Sequence, residues 1–348
     1  MGLARPAAAA PRLNRQRQAH AEAAPRGRVL DAQGRFSWDF DAFAFVEGAA
    51  PATVHPVLGR QERLNNQAGL FKVVDGVWRL RGFDLSHITL IEGRKGCIVV
   101  DALTSPEAAA AAMAFGRQHL GPRPVSALIY THSHMDVFGG ALGGVTAEEA
   151  TSENLLAGTA MGRCAAYMYG SRLPPNRIVT EPRQEMTLDG APMVFFNVPG
   201  AEAPAKLMPR QPQQRAFGSA DMMVPRCTTC TRCAAPGCAT RCCGRATSTS
   251  RWPPRGRPRS CSSQHTRPVW GREAIHAFIV RQRDAYRYIH DQTVRMMNAG
   301  LTAPEIAETL MLPSDLELLK RSLEQLGYLV ESARWPRRST APRRPRRR

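Results

Sequence analysis

Pro124-Val125-Ser126-Ala127-Leu128-Ile129-Tyr130 runs without a break into Thr131-His132-Ser133-His134-Met135-Asp136-Val137-Phe138-Gly139-Gly140. The first seven residues are apolar but for one serine, which predicts a strand buried on both faces. The next six are mostly polar, with two histidines at i and i+2 and an acid at i+4. From one tight loop that spacing lets two imidazoles and a carboxylate converge on a metal ion. Imidazole nitrogens would sit about 2.0–2.1 Å from zinc, and the carboxylate can hold a second ion. The competing reading is a polar loop whose histidines simply face solvent.

Working outward, Gly96-Cys97-Ile98-Val99-Val100-Asp101 reads as a buried strand ending in an acid. Ser105 and Pro106 then open an alanine-rich helix to Leu120. Strand, helix, strand and a polar loop at the last strand's C-terminal end give an α/β layout with a site at its edge. Upstream, Val77–Phe83 and Ile88–Gly93 read as strands of a hairpin or meander. Downstream, the pattern turns helical from Glu273 to about Leu329. Arg281 to Ala299 is closed by Gly300, Thr302-Ala303-Pro304-Glu305 caps a second helix through Leu310, and Leu316 to Gly327 gives a third. Paired amphipathic helices after an α/β domain pack on it or on a partner subunit.

The chain has 348 residues, 43% of them apolar, and a formal net charge of +18. That excludes global disorder and suits one large or two modest domains. No run approaches the ~18 apolar residues of a membrane helix, so no membrane span is expected. Residues 1–35, rich in Ala, Arg, Pro and Gln without a period, read as a disordered leader with no readable secretory signal, which favours the cytoplasm. The basicity is local: residues 203–272 hold thirteen Lys/Arg against Asp221 alone, and residues 334–348 hold eight arginines and no acid. The rest of the chain is close to neutral. A nucleic-acid partner is not expected, because residues 206–264 lack interleaved aromatics beyond Phe217 and Trp252.

Seven of the nine cysteines fall between Cys227 and Cys261. At face value Cys227, Cys230 and Cys233, followed by Cys238, Cys242 and Cys243, suggest a zinc knuckle, an iron–sulfur site or a disulfide knot. Their spacings fit no regular pair of C-x2-C knuckles.

Thr131 to Gly140 resembles the metal loop of the metallo-β-lactamase superfamily, H-x-H-x-D-H. Ser152-Glu153-Asn154-Leu155-Leu156-Ala157-Gly158-Thr159, Ala166-Tyr167-Met168-Tyr169-Gly170, Pro199-Gly200-Ala201-Glu202-Ala203-Pro204-Ala205 and Tyr288-Ile289-His290-Asp291-Gln292-Thr293 are similar to the alkyl sulfatases, the linear primary-alkylsulfatases. The resemblance covers roughly residues 36–205 and 265–315. It implies a metallo-β-lactamase-like αββα sandwich followed by a helical dimerisation domain. It also implies zinc-dependent hydrolysis of alkyl sulfate esters such as dodecyl sulfate to alcohol and sulfate, at a two-zinc site in a homodimer.

Carried over by motif, His132, His134 and Glu202 would hold one metal and Asp136, Asp221 and His265 the other. Asp136 and Tyr169 would serve catalysis, Tyr169 near the sulfate. The departures matter as much. Val137 stands where the pattern has its last histidine, Asp221 where the family has a longer glutamate, Lys206 where it has a second acid, and Ser171 where it has asparagine.

Residues 206–264 barely resemble the family although good matches flank them, and their Arg, Pro, Cys, Thr, Ser and Ala composition is that of a GC-rich coding region read out of frame. Read one base earlier, codons for Cys227–Ala235 can encode Leu-His-Asn-Leu-Tyr-Thr-Leu-Arg-Gly, which looks like a family segment whose arginine is implied to hold the sulfate. The expected organisation is therefore a leader over 1–35, a metallo-β-lactamase-like domain over 36–272 with 206–264 frameshifted and disordered, helices over 273–333, and a basic disordered tail over 334–348. Two alternatives stand: another hydrolase of the superfamily, and a catalytically inactive dimerising remnant.

Overall fold

The strand at Val125–Tyr130 buries side chains on both faces, and the molecule is layered around it. In the computed structural model, residues 21–23, 27–48, 56–144, 155–158, 173–198, 203, 205–222, 258–262, 265, 267–311 and 313 are described. In chain order come β1 (Ala21–Ala23), β2 (Arg28–Leu30), β3 (Phe36–Asp39), α1 (Pro56–Asn65), β4 (Gly69–Val74), β5 (Val77–Arg81), β6 (Ile88–Glu92) and β7 (Cys97–Val100). Then follow α2 (Pro106–Leu120), β8 (Val125–Tyr130), α3 (Met135–Phe138), α4 (Ala141–Gly144), β9 (Leu155–Gly158) and β10 (Arg177–Val179).

The first sheet has the order β1-β4-β5-β6-β7-β8-β9-β10. It is antiparallel through β7, and β7, β8, β9 and β10 are parallel. A second sheet follows: β11 (Arg183–Leu188), β12 (Ala191–Asn197), β13 (Leu207–Gln211), β14 (Ala216–Gly218), β15 (Ser260–Ser262) and β16 (Val269–Trp270), paired in that order. Two helices close the described chain, α5 (Arg272–Asn298) and α6 (Ala303–Thr309).

Two apolar clusters lie on opposite faces of the first sheet. Leu80, Leu90, Val99, Leu128 and Tyr130 pack with Ala108, Ala109, Ala112 and Met113 of α2. Val77, Ile98, Val100, Ala127 and Ile129 pack with Leu188, Met193, Phe195 and Leu207 of the second sheet. The alternation along β8 thus sorts side chains between a helix layer and a second-sheet layer. Helix α2 starts where its sequence says, with Ser105 Oγ accepting the Ala108 N–H at 3.2 Å and Pro at the first position. Gly116 lets it lie close on the sheet, since a Cβ there would come within 3.3 Å of Leu80 and Leu90. The Thr302 cap of α6 is also present, its backbone N–H reaching Glu305 at 2.7 Å.

Two expectations differ from what is observed. Part of the leader is strand: β1 pairs with β4 and β2 with β3. More consequentially, the segment read as disordered over 206–264 contributes β13, β14 and β15, with Leu207, Met208, Phe217 and Cys261 buried. Composition averaged over the whole window hid Leu207-Met208-Pro209 and the Ala216-Phe217 pair, which are enough to form strands inside the second sheet. The cysteines Cys227 to Cys243, the helix read at 316–327 and the tail lie outside the described residues.

Candidate metal centre

Strands β7 and β8 are parallel neighbours, so their C-terminal ends open on the same edge. Asp101 leaves β7 in the left-handed region at φ 64, which an aspartate tolerates, and Thr131 leaves β8. The carboxylate of Asp101 is fully buried and accepts from the Thr131 N–H at 2.8 Å and from Thr131 Oγ1 at 2.9 Å. Thr131 Oγ1 also lies 3.0 Å from His132 Nδ1. When Asp101 is ionised, the state that the buried Arg79 charge beside it favours, the hydroxyl's single proton goes to the carboxylate. His132 must then donate from Nδ1, which leaves its Nε2 lone pair aimed into the centre.

What that lone pair meets is informative. His132 Nε2 stands 2.9 Å from Asp221 Oδ2 and 3.1 Å from His134 Nδ1. Across the cluster, His265 Nε2 is 3.2 Å from Asp136 Oδ2 and 3.4 Å from Asp221 Oδ1, while its Nδ1 faces the Leu85 carbonyl at 3.0 Å and donates to it. Lone-pair donors converge on one another here, an arrangement that requires a shared proton or a cation between them. His132, His134 and Asp136 present ligand atoms within 4.8 Å of one another. Nitrogen and carboxylate oxygen at such spacing suit a divalent transition ion.

The electrostatics follow from burial and partners. Burial alone would raise the Asp221 carboxyl, but His132 and then His265 hold it well below the ordinary carboxylate range. Burial lowers His265, yet Asp221, Asp136 and the Leu85 carbonyl overcome it and push the imidazole up to about 9. Asp101 is raised well above its usual value by burial, against the two bonds from Thr131. Arg79 on β5 lies behind the centre, and Arg81, further along the strand against the Phe71 ring and the Leu64 carbonyl, is equally buried, each 1% exposed. Burial brings Arg79 down to about 10, opposed chiefly by Asp101, and Arg81 to about 9.

A support layer surrounds these groups. Ser86 Oγ donates to the Asp136 carbonyl, and Asp84 accepts the N–H of Thr104 at 2.6 Å. Gly139 and Gly140 are dictated by space: a Cβ on either would come within 2.2 Å of a carbonyl oxygen, that of Thr104 or of Ala102. The metal loop is thereby pressed onto the turn after β7.

Five of the residues singled out from sequence are thus brought together: His132, His134, Asp136, Asp221 and His265. Glu202 and Tyr169 lie outside the described residues. Val137 is fully buried in the apolar cluster with Tyr130 and Phe138. Sequence reading assigned no role to Asp84, Ser86, Asp101 or Thr131. Their signal is an acid or hydroxyl at the end of an apolar strand, which is legible as a place but not as a contact.

The sequence profile of the metallo-β-lactamase superfamily matches residues 81–153. An alkyl/aryl-sulfatase of Saccharomyces cerevisiae is 33% identical over 335 aligned residues, covering 83% of this chain and 52% of the relative. A linear primary-alkylsulfatase of Pseudomonas sp. is 34% identical over 340, covering 84% and 50%. Among solved structures, a stereoselective inverting sec-alkylsulfatase from Pseudomonas sp. superposes with a TM-score of 0.76 at 26% identity, over 89% of this chain and 58% of that one. The chain spans about half the length of the curated relatives it matches.

Proposed function

We infer sulfate-ester hydrolysis from the premise that this chain is a homologue of the alkylsulfatases built on the metallo-β-lactamase fold. The observation that carries the reading is the convergence of His132, His134 and Asp136 from one sheet edge with Asp221 and His265 from the other. The proposed ion is zinc, and the proposed substrates are alkyl sulfates of the dodecyl sulfate type, cleaved to alcohol and sulfate. Bound there, zinc supplies Lewis acidity toward an oxygen and makes a water acidic near neutral pH.

The chain's own groups do the rest. His132, His134 and Asp136 would hold the ion, with Glu202 as a further ligand. Asp221 Oδ1 and His265 Nε2, 3.4 Å apart, form a site that can hold one proton. Thr131 and Asp101 keep His132 in the metal-binding tautomer. Tyr169 is proposed to face the sulfate. The exposed Val294, Met297 and Met311 at the helical end suit a second copy of the chain, so a homodimer belongs to the proposal.

A second reading, an inactive dimerising remnant, is favoured by one observation: Val137 is 0% exposed within the apolar cluster, where the resemblance has a ligand. Over residues 223–257 we retain the out-of-frame reading, which resequencing of those codons tests. The deciding experiment is release of sulfate from dodecyl sulfate by the purified full chain, with zinc and with a chelator. Zinc-dependent release supports hydrolysis, and a zinc-loaded chain that releases none supports the remnant.

A further inference from the structure

We propose that the two halves of this centre are unequal, and that the chain retains a single divalent ion, on the His132–His134 side. The proposal rests on the hydrolase reading of the same site.

Donor chemistry comes first. His132, His134 and Asp136 present ligand atoms within 4.8 Å of one another, which gives two imidazoles and a carboxylate to one ion. That is the three-ligand set of many catalytic zinc sites. Among the described residues the other half has one imidazole, His265, and one carboxylate of its own, Asp221, since Asp136 is already engaged. Next along the loop comes Val137, a hydrocarbon with 0% exposure. It is locked in place: its N–H reaches the His134 carbonyl at 3.2 Å, and its carbonyl accepts the Ala102 N–H at 2.7 Å. The loop therefore cannot turn another donor toward that half without breaking its own hydrogen bonds.

Charge points the same way. Lys206 is the partner of His132 in an isolated antiparallel bridge, and its neighbour Leu207 donates its N–H to the Thr131 carbonyl at 2.7 Å. Residues directly opposite in an antiparallel pair put their side chains on one face, with Cβ atoms about 4.5–5.5 Å apart. Lys206 is 0% exposed and stands where the resemblance has an acid, so this strand offers a cation in place of a carboxylate ligand. A first ion gains enough from two imidazoles and a carboxylate to outweigh that charge. A second ion, held by fewer nitrogens, meets the first ion and the lysine together.

Native mass spectrometry and elemental analysis of the full chain, zinc-loaded and then dialysed, read the stoichiometry directly. One zinc per chain is expected, with a second appearing only at free zinc at least about a hundredfold higher, the upper end of what losing even a partner behind a ligand costs. Lys206→Met keeps the side-chain length and removes the charge, and should strengthen the second site about tenfold or more. A Val137→His/Lys206→Glu double variant, if folded by circular dichroism, should retain two ions. Two ions retained by the unaltered chain, or no gain at the second site in Lys206→Met, overturns the proposal and leaves the hydrolase reading intact. No zinc retained at any concentration overturns both.

Discussion

The N–H and hydroxyl of Thr131 make three contacts with two polar side chains, and each decides something downstream. Its N–H and hydroxyl both serve Asp101, and the hydroxyl oxygen takes the Nδ1 proton of His132. Thr131→Val is close to isosteric but removes the oxygen. His132 would then be free to carry its proton on Nε2, where it blocks the metal. Metal affinity is expected to fall about 10–100-fold, the usual effect of losing a partner behind a ligating histidine. Competition against a chromogenic chelator measures this, and circular dichroism separates it from misfolding. Unchanged affinity would mean that the Asp101–Thr131 pair does not set the tautomer.

At the scale of elements, α3 and α4 hold the metal loop against the turn after β7, and two glycines make the contact possible. Gly140→Ala would place a methyl 2.2 Å from the Ala102 carbonyl and 2.6 Å from that of Ser105, both backbone atoms that cannot swing away. A loss of about 1–3 kcal/mol in unfolding free energy is expected from this overpacking, measured by denaturant titration.

Far from the site, Asp189 and Gly190 form the two-residue turn between β11 and β12, both with positive φ, 44 and 78. The Asp189 carboxylate accepts from Gly96 N–H at 2.7 Å and Lys95 N–H at 3.0 Å, joining this turn to the one between β6 and β7. Burial would raise its pKa, but those two donors hold it below the ordinary value. The sign follows: with a depressed native pKa, the bond's contribution is complete above about pH 4 and is lost as pH falls through the native value. Asp189→Ala should therefore cost about 1–3 kcal/mol at neutral pH and progressively less below pH 4. A constant difference across that range would rule the carboxylate out as the cause.

These elements also show where sequence reading stops. Strand β8 and helix α2 were legible because burial imposes a period and a cap on contiguous residues. His132, His134 and Asp136 were legible for the same reason, lying within one turn of chain. Asp221 and His265 come from a different sheet, so no spacing announces them and only motif resemblance reached them. Lys206 is one residue among thirteen cations in its block by composition, yet pairing places it opposite His132.

For the whole molecule, the centre is also a joint. His132, His134 and Asp136 belong to the edge of the first sheet, while Asp221 follows β14 and His265 lies between β15 and β16 of the second. The apolar layer of Val100, Ile129, Phe195 and Leu207 holds the sheets together over their middles. At the site edge the facing groups are acids, imidazoles and buried cations. An ion held there would tie the two sheets where hydrophobic contact does not, and would bind the native chain rather than the unfolded one. At a free concentration of 100 times its Kd it adds about 2.7 kcal/mol. For a domain of this size that corresponds to roughly 5–10 °C in Tm. Stripping the ion with a chelator should lower Tm by that order, in one cooperative transition, and zinc should restore it. If instead the transition splits, the sheets unfold separately without the ion. If the midpoint does not move, no ion joins them, and His132 and Asp221 are held by a shared proton alone.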